Sequence, residues 1–194
     1  MKKINYEIIF HTDWHCGSGL AAGAEVDALV IKDKDGLPFI PGKTMKGLLK
    51  EASEEMGYFP ELIDWAYGKG NDSQKADGVS MMSSLFFSNA VMSEQERKAI
   101  ISQNLSQYMY RTISSTAIDD NGIAKDNSLR KVQVTVPCVM YGEIIIMSDV
   151  SEEKSEDLDN LFEKAFAYVK RLGVGRNRGL GRCTIKKIEE GGSK

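Results

Sequence analysis

The sequence has few of the residues that build disulfide frameworks or dedicated metal centres. Its 194 residues include only three cysteines and two histidines. The cysteines are odd in number, far apart and outside any C-x-x-C pair, which argues against a disulfide framework and against a cysteine-rich zinc site. Two histidines argue against a histidine-rich metal centre. We therefore expect Cys16, Cys138 and Cys183 to be packed thiols, and no metal site formed by the protein alone.

Long apolar stretches are also absent. No run approaches the ~18 residues that a membrane span requires, and the charged start MKKINYEIIF lacks the apolar core of a signal peptide. A cytoplasmic protein with no membrane partner is the expectation. The composition, 42% hydrophobic and 27% charged, is that of an ordinary globular protein. The length favours one domain over residues 1–194, with insertions at about 14–41 and 103–131.

The charges are unevenly distributed along the chain. The formal net charge is only -3, yet residues 164–187 hold eight lysines or arginines and no acidic residue. The preceding stretch, residues 152–163, holds six acidic residues and one lysine. A local basic stripe of this kind can bind phosphates while the rest of the surface keeps the protein soluble.

Hydrophobic periodicity predicts an alternation of strands and helices. Apolar residues at helical spacing predict two amphipathic helices, over residues 43–56 and 158–172. The remaining apolar patterns predict strands over residues 3–13, 26–31, 37–40, 85–92, 132–139, 142–147 and 183–188. In its main elements the order is β-α-β-β-α-β. This order is typical of an α+β protein with a ferredoxin-like, RRM-like core.

Three further segments interrupt this pattern. Residues 111–130 have little periodicity and a turn signal at Asn121-Gly122, so we predict a long projecting hairpin, since a structureless loop of that length is uncommon in a compact domain. The polar residues 71–79 predict a mobile loop. Ser93 is predicted to cap a short helix.

The stretch GVGRNRGLGRC, residues 173–183, contains four glycines and three arginines. Glycines allow close backbone approach and turn N–H groups outward, and arginine presents planar donors that match phosphate oxygens. The loop therefore favours a phosphate ligand, with a flexible surface loop as the alternative. It runs from a predicted helix into a strand, which is the reverse of a dinucleotide-binding fingerprint and has different spacing.

The stretch GLPFIPGKTMKG, residues 36–47, nearly matches a phosphate-binding P-loop. Five residues separate Gly36 from Gly42, whereas that motif requires four, and Gly36 lies in a predicted turn. Lys43 and Lys46 fall in the first turn of the predicted helix, where the helix dipole disfavours cations. A bound anion would explain both lysines, and two solvated side chains are the alternative.

Asp27 interrupts the apolar stretch VDALVI. An acid in such a position can bind a metal or accept a proton. A structural loop carboxylate is the alternative, because one aspartate alone indicates little.

Three of these stretches together resemble the RAMP superfamily of type III CRISPR effector complexes. AEVDALVIKDKDGLPFIPGKTMKGLLKEA, residues 24–52, is similar to the signature in which an Asp, an apolar strand, a turn and a helix start follow one another. GVGRNRGLGR resembles the family's glycine-rich loop. RTISSTAIDDNGIAKDNSLRKVQVTVP, residues 111–137, resembles the thumb hairpin of the backbone subunits.

The resemblance implies a Csm- or Cmr-type backbone subunit with an RRM-like fold. Such a subunit lies along a guide crRNA with other copies of itself as a filament, contacts other type III CRISPR effector subunits, and holds target RNA by base pairing to the guide. It also implies that Asp27 cuts the target with a divalent metal, Mg or Mn, and that no organic cofactor takes part. The implied RNA contacts are His15, Lys43, Thr44, Lys46, Lys50, Arg111, Arg130, Gly173, Gly175, Arg176, Arg178, Gly179 and Gly181.

Two other functions remain open at this point. The same fold could serve as a non-catalytic guide-binding or capping subunit in which Asp27 is inert. A member of the superfamily that processes guide precursors would instead use a histidine such as His15.

Overall fold

A four-stranded antiparallel sheet forms the centre of the computed structural model, which describes residues 2–22, 26–69 and 81–188. The strands are β1 (Lys3–Phe10), β2 (Leu85–Phe87), β3 (Tyr110–Ser115), β4 (Arg130–Thr135), β5 (Val139–Ile146) and β6 (Cys183–Ile188). The helices are α1 (Gly42–Glu55), α2 (Pro60–Tyr67), α3 (Glu94–Ser102) and α4 (Glu152–Tyr168). Single 3-10 turns cover Ser106–Met109 and Arg176–Arg178.

The central sheet has the strand order β2-β5-β1-β6, and every neighbouring pair is antiparallel. Helix α1 lies between β1 and β2 along the chain, and α4 lies between β5 and β6. Each of these strand pairs is separated by one other strand in the sheet, an arrangement compatible with the predicted ferredoxin-like core. The predicted α+β class is confirmed.

The alternation of β1 explains how the core forms. Ile4, Tyr6, Ile8 and Phe10 point to one side of the strand and are buried. They pack in one cluster with the apolar faces of α1 and α4, whose buried residues include Leu49 and Phe162. Each such side chain contributes ~1.5–3 kcal/mol by leaving water, so this face fixes which side of the sheet the helices cover.

The second sheet is the two-stranded hairpin of β3 and β4, residues 110–135, which we call the thumb hairpin. It confirms the hairpin predicted over residues 111–130. Its end loop is ordered by Asp119, whose carboxylate accepts the backbone N–H groups of Asn121 and Ile123 at 2.9 and 2.8 Å. Ile118 and Ile123 nevertheless remain exposed. The thumb hairpin therefore presents an apolar tip to its surroundings.

The strands predicted over residues 26–31 and 37–40 are wrong. Val26 bridges to Ala22, Ala28 to Val132 of β4, and Val30 to Gly17, so successive pairings reach different segments and no continuous ladder forms. The predicted turn between them does form. The Asp33 carboxylate accepts the N–H groups of Asp35 and Leu37, and Gly36 supplies the positive φ of +76°.

The remaining boundary errors lie where a strand ends or where the chain passes from one sheet to the other, which local periodicity does not reveal. The strand predicted over residues 132–139 is wrong because β4 ends at Thr135 in one sheet and β5 begins at Val139 in the other. The strand predicted over residues 85–92 is only three residues long. Helix α2 was not predicted, and the loop predicted over 71–79 lies outside the described residues. The helix after Ser93 is confirmed, with a complete capping box between Ser93 and Glu96.

All three cysteines are free thiols inside or at the edge of the core, as predicted. Burial raises the pKa of Cys138 and of Cys183 from 9.0 to about 11. Burial also raises the pKa of Cys16, against the opposing effect of its hydrogen bond with Thr44. These thiols are therefore protonated and unreactive at neutral pH.

The raised thiol pKa values predict a loss of stability in alkaline solution. The unfolded chain releases the Cys138 proton near pH 9, whereas the folded chain keeps it until about pH 11, so the free energy of unfolding should fall across this window. A shift of this size corresponds to at most ~2.7 kcal/mol. We expect Cys138→Ala to lose less stability than the unaltered chain between these pH values in urea unfolding. Identical losses would contradict the role of Cys138.

Among the helices within the described ranges, none combines the length and the apolar character needed to cross a bilayer.

Candidate nucleic-acid interface

Asp27 is exposed and is tied to the thumb hairpin by its backbone and its side chain. Its N–H donates to the Lys131 carbonyl at 2.8 Å, and its Oδ2 accepts the Lys131 N–H at 2.6 Å. The next residue, Ala28, accepts the N–H of Gln133 at 3.0 Å. Residues 27–28 therefore lie along the edge of β4 and hold the carboxylate in a defined place through Oδ2.

The glycine loop, residues 173–182, is a tight structure with exposed arginines. Gly173, Gly175, Gly179 and Gly181 all have positive φ values, between +71° and +93°. An added Cβ at Gly173 would lie 2.3 Å from the His15 carbonyl oxygen, and one at Gly181 would lie 1.9 Å from that of Leu172. Close backbone packing thus explains two of the glycines. Arg176, Arg178 and Arg182 are exposed on this loop.

The segment Asp13–Cys16, which we call the hub, joins the elements that carry the predicted RNA contacts. The Asp13 carbonyl accepts the N–H of Gly181 at 2.7 Å, and the His15 carbonyl accepts that of Val174 at 2.9 Å. Trp14 pairs with Thr135 of β4 through two backbone hydrogen bonds, of 3.0 and 2.8 Å. The Cys16 side chain packs in the same buried cluster as Met45 at the start of α1. The glycine loop, the thumb hairpin and α1 therefore meet at the hub.

His15 is the predicted RNA contact whose placement differs most from the expectation. Its side chain is only 3% exposed, and its Nδ1 hydrogen bonds the Gln133 carbonyl at 2.6 Å. The imidazole therefore packs between the hub and β4 and presents almost no surface to a polymer. Its role in the folded chain is to connect the thumb hairpin to the glycine loop.

The predicted lysine contacts form one stripe on α1, because residues three or four apart share a helix face. Lys43 is exposed, whereas Lys46 is half-buried. Partial burial, and secondly the charge of Lys50, lower the pKa of Lys46. An anion at this stripe would offset that repulsion. Lys50 already has partners, since its Nζ donates to the Gly68 carbonyl at 3.3 Å and lies 3.9 Å from Glu54.

Another face of α1 forms a cleft of about 310 Å³ against the glycine loop. Glu51 and Glu55 line it from α1, and Arg171 and Arg176 line it from the opposite side. The Tyr168 hydroxyl donates to Glu55 at 2.8 Å across this region. The mixed charges make the cleft a poor phosphate site. A phosphate chain is better matched by the lysine stripe and by the outer surface of the glycine loop.

Arg111 and Arg130 do not lie together at the thumb base, and their grouping is corrected here. Arg111 pairs with Val134, near the body of the protein, whereas Arg130 pairs with Ser115 at the outer end of the ladder. The four residue-to-residue steps from Arg130 to Val134 span ~13 Å of strand. Asp27 binds Lys131, so it is Arg130 that lies near the candidate catalytic carboxylate.

Asp13 is a site residue that the sequence patterns did not indicate. It is 5% exposed, and its Oδ2 accepts Nε of Arg111 at 2.5 Å and also contacts Nη2. The one available signal was an acid at the end of a predicted strand, which is too common to identify a buried ion pair.

The residues around Asp27 could bind a divalent metal only if another molecule supplied further ligands. No three His, Cys, Asp or Glu side chains are grouped to hold a metal within residues 2–22, 26–69 and 81–188. Among the described residues only Oδ2 of Asp27 accepts a hydrogen bond, from Lys131, so Oδ1 has no partner within those ranges. Mg²⁺ commonly takes one or two carboxylates together with substrate phosphates and water. The donor set therefore suits a metal shared with RNA.

Solved structures with the same fold cover nearly the whole chain. A chain of the cryo-EM structure of type III-B Cmr-beta bound to cognate target RNA has 11% identity and a TM-score of 0.72, over 96% of this chain and 97% of that chain. A chain of the apo state has 11% identity and a TM-score of 0.71, over 97% and 98%. A chain of a type IV-B CRISPR complex has 12% identity and a TM-score of 0.63, over 98% and 92%.

Sequence comparison identifies the family. No curated protein matches the chain. The sequence model of the RAMP superfamily, however, matches residues 7–184, which extend from β1 to β6 and include the hub, Asp27, the thumb hairpin and the glycine loop. The chain therefore belongs to the RAMP superfamily.

Proposed function

We propose that this chain is a guide-RNA-binding backbone subunit of a type III CRISPR effector complex, and that it cuts base-paired target RNA at Asp27. Its partners are the guide crRNA, the target RNA, further copies of itself in a filament, and other effector subunits. Membership of the RAMP superfamily and the fold shared with Cmr-beta chains support this assignment. So does the exposed Asp27, held on the thumb hairpin that the hub joins to the glycine loop.

The RNA-binding part of the proposal depends on exposed cations carried by rigid backbone. Arg176 and Arg178 occupy a 3-10 turn between two glycines in the left-handed conformation, so the loop needs little ordering when it binds. Arginine matches phosphate oxygens with planar paired donors. Lys43 and Lys46 extend the positive surface along α1. The protein reads the backbone and shape of the RNA, and base pairing with the guide reads the sequence.

Asp27 has the chemistry of a general base for RNA cleavage. RNA carries its own nucleophile, the 2′-hydroxyl, so the chain needs to accept the proton of that group and to orient it in line with the scissile phosphate. The Lys131 N–H holds Oδ2 in place, and Oδ1 can face the ribose. Mg²⁺ or Mn²⁺, shared between Asp27 and the RNA, would offset negative charge on the phosphate. No organic cofactor is involved.

The hydrogen bond between Asp27 and Lys131 also favours a second function. The same contact would make Asp27 a purely structural link between residues 27–28 and β4. The chain would then be a guide-binding or capping subunit without cleavage activity. A guide-precursor nuclease acting through His15 is disfavoured, because that imidazole is buried and bonded to Gln133.

RNA binding can be tested by its dependence on salt. Each phosphate contact to single-stranded RNA steepens the slope of log affinity against log salt by ~0.7. We expect the double variant Arg176→Ala/Arg178→Ala to reduce the slope by ~1.4. It should also weaken the binding of RNA by a similar factor whatever the RNA sequence. Fluorescence anisotropy with labelled single-stranded RNA measures both quantities.

The matched control is Lys98→Ala, which removes an exposed cation from α3, outside the candidate interface. A slope change equal to that of Lys98→Ala would mean that the glycine loop does not contact RNA. Absence of any salt dependence in the unaltered chain would overturn the RNA-binding assignment itself.

A further inference from the structure

We infer that Asp13 is a positioning residue that holds Arg111 ready for an RNA phosphate and connects it to the glycine loop. This inference rests on the proposed RNA-binding function. It concerns a buried carboxylate that none of the contacts proposed above includes. The ion pair of Asp13 and Arg111 joins residues 98 positions apart in sequence.

The two members of the pair differ sharply in exposure. The Asp13 side chain is 5% exposed, whereas that of Arg111 is 62% exposed. Arg111 directs Nε and Nη2 at the same oxygen, Oδ2. A guanidinium has further N–H donors beyond these, and they lie on the part of the side chain that faces solvent. The pair thus has one fixed end and one end that is free to bind an anion.

Stability alone does not explain this pair. The second oxygen of Asp13, Oδ1, is buried without a hydrogen-bond partner in the part of the chain that the structure describes. Burying a charged group costs several kcal/mol, and a half-satisfied pair with an exposed partner recovers only part of that cost. An apolar side chain at this position would make the folded chain more stable. A fold commonly tolerates such a cost where the group has a functional role.

The surroundings of Asp13 indicate what that role is. Its carbonyl oxygen accepts the N–H of Gly181 at 2.7 Å, so its backbone fixes the end of the glycine loop while its carboxylate fixes Arg111. Arg111 lies at the inner end of the thumb hairpin, opposite Val134. One residue therefore sets the relative positions of two cationic surfaces that a single phosphate chain could contact.

Positioning and charge neutralisation predict opposite effects when Asp13 becomes asparagine. Removal of a negative charge near bound RNA should tighten binding, through long-range attraction. Release of Arg111 from its fixed rotamer should weaken binding, because ordering a long side chain then takes place on association. If Asp13 positions Arg111, the second effect exceeds the first. We expect Asp13→Asn to weaken RNA affinity about three- to tenfold.

The test is a double-mutant cycle on the full chain, read by anisotropy with labelled single-stranded RNA. Asp13→Asn, Arg111→Ala and the double variant are compared, with Asp159→Asn as the control for loss of one negative charge. Asp159 pairs with Lys2 and Lys187, away from the hub. We expect Asp13→Asn to weaken binding in the unaltered chain but to have no weakening effect once Arg111 is absent. Asp159→Asn should leave affinity unchanged or slightly tighter.

Several distinct results would overturn the inference. Binding tightened by Asp13→Asn as much as by Asp159→Asn would mean that Asp13 only neutralises Arg111. Equal weakening with and without Arg111 would mean that Asp13 acts through the fold. Weakening by the glycine-loop variants without weakening by Asp13→Asn would reject the inference and leave the proposed function standing, whereas an unaltered chain that binds no RNA rejects both.

Arg111→Ala leaves a buried carboxylate unpaired and can impair folding. Arg111→Lys then replaces it in the cycle, because lysine keeps the charge but cannot direct two fixed donors at Oδ2. Circular dichroism establishes that each variant is folded at the assay temperature. We expect Asp13→Asn to lose its weakening effect in the Arg111→Lys background as well. A full Asp13→Asn effect in that background would contradict positioning.

Discussion

Target cleavage is expected to fall by a factor of ~10² to 10⁴ when Asp27 is replaced by asparagine, while guide and target RNA still bind. Asparagine keeps the shape of the side chain and an oxygen that can accept the Lys131 N–H, so residues 27–28 should stay on β4. What it loses is the ability to accept the proton of the 2′-hydroxyl and to share a divalent cation with RNA. The loss should therefore appear in the rate of cutting and not in affinity.

The measurement uses the assembled complex with labelled target RNA and Mg²⁺ or Mn²⁺. Asp126→Asn, which neutralises an exposed carboxylate on the thumb hairpin, is the matched control and should cut normally. Cutting by Asp27→Asn at the rate of this control would remove Asp27 from the catalytic role. The chain would then be the non-catalytic guide-binding subunit described above, with Asp27 as a structural link.

A large loss of stability is expected from Gly181→Ala. Gly181 has a φ of +71°, and an added Cβ would lie 1.9 Å from the Leu172 carbonyl oxygen. The backbone at this position also bonds in two directions, since the Gly181 carbonyl accepts the Leu172 N–H at 2.9 Å and the Gly181 N–H donates to Asp13 at 2.7 Å. The clash cannot be relieved by turning a side chain. We expect the free energy of unfolding to fall by ~3–4 kcal/mol.

Gly179→Ala provides the matched control for this prediction. Gly179 has a φ of +87°, yet nothing lies within 4 Å of an added Cβ. The substitution should therefore show only the backbone cost of the left-handed conformation, ~1 kcal/mol. Urea unfolding of both variants measures the difference. Equal losses would show that the cost of the positive φ alone accounts for the destabilisation, and that the contact with Leu172 has no separate effect.

Local patterns in the sequence identified the elements whose faces are buried against the sheet. The alternation of β1 and the helical spacing of α1 and α4 identified these three elements, and β6 covers the predicted residues 183–188. Their bounds differ for two of them, since β1 ends at Phe10 and not at residue 13, and α4 covers Glu152–Tyr168 and not residues 158–172. These elements bury one face each, so periodicity carries the information. Residues 26–31 have an equally apolar pattern but bridge alternately to two segments, residues 17–22 and β4, and no local pattern distinguishes that outcome from a strand.

For the candidate site, too, the sequence identified some features and not others. Asp27, the lysines of α1 and the glycine loop were found as residue types at particular spacings. Their surroundings were not predictable, because each depends on a contact between distant parts of the chain. The buried imidazole of His15 depends on Gln133, and the ion pair of Arg111 depends on Asp13. The separation of Arg130 from Arg111 depends on the register of the thumb hairpin.

The sequence by itself determined the α+β class, the main helices, and the residue types that can bind phosphate or accept a proton. Only the tertiary structure decided that Asp27 lies beside Lys131 at the outer part of the thumb hairpin, and that the hub joins this hairpin to the glycine loop. The physical reason is that periodicity reports which face of an element is buried. Hydrogen bonds and ion pairs between segments far apart in the chain form only once those buried faces have packed.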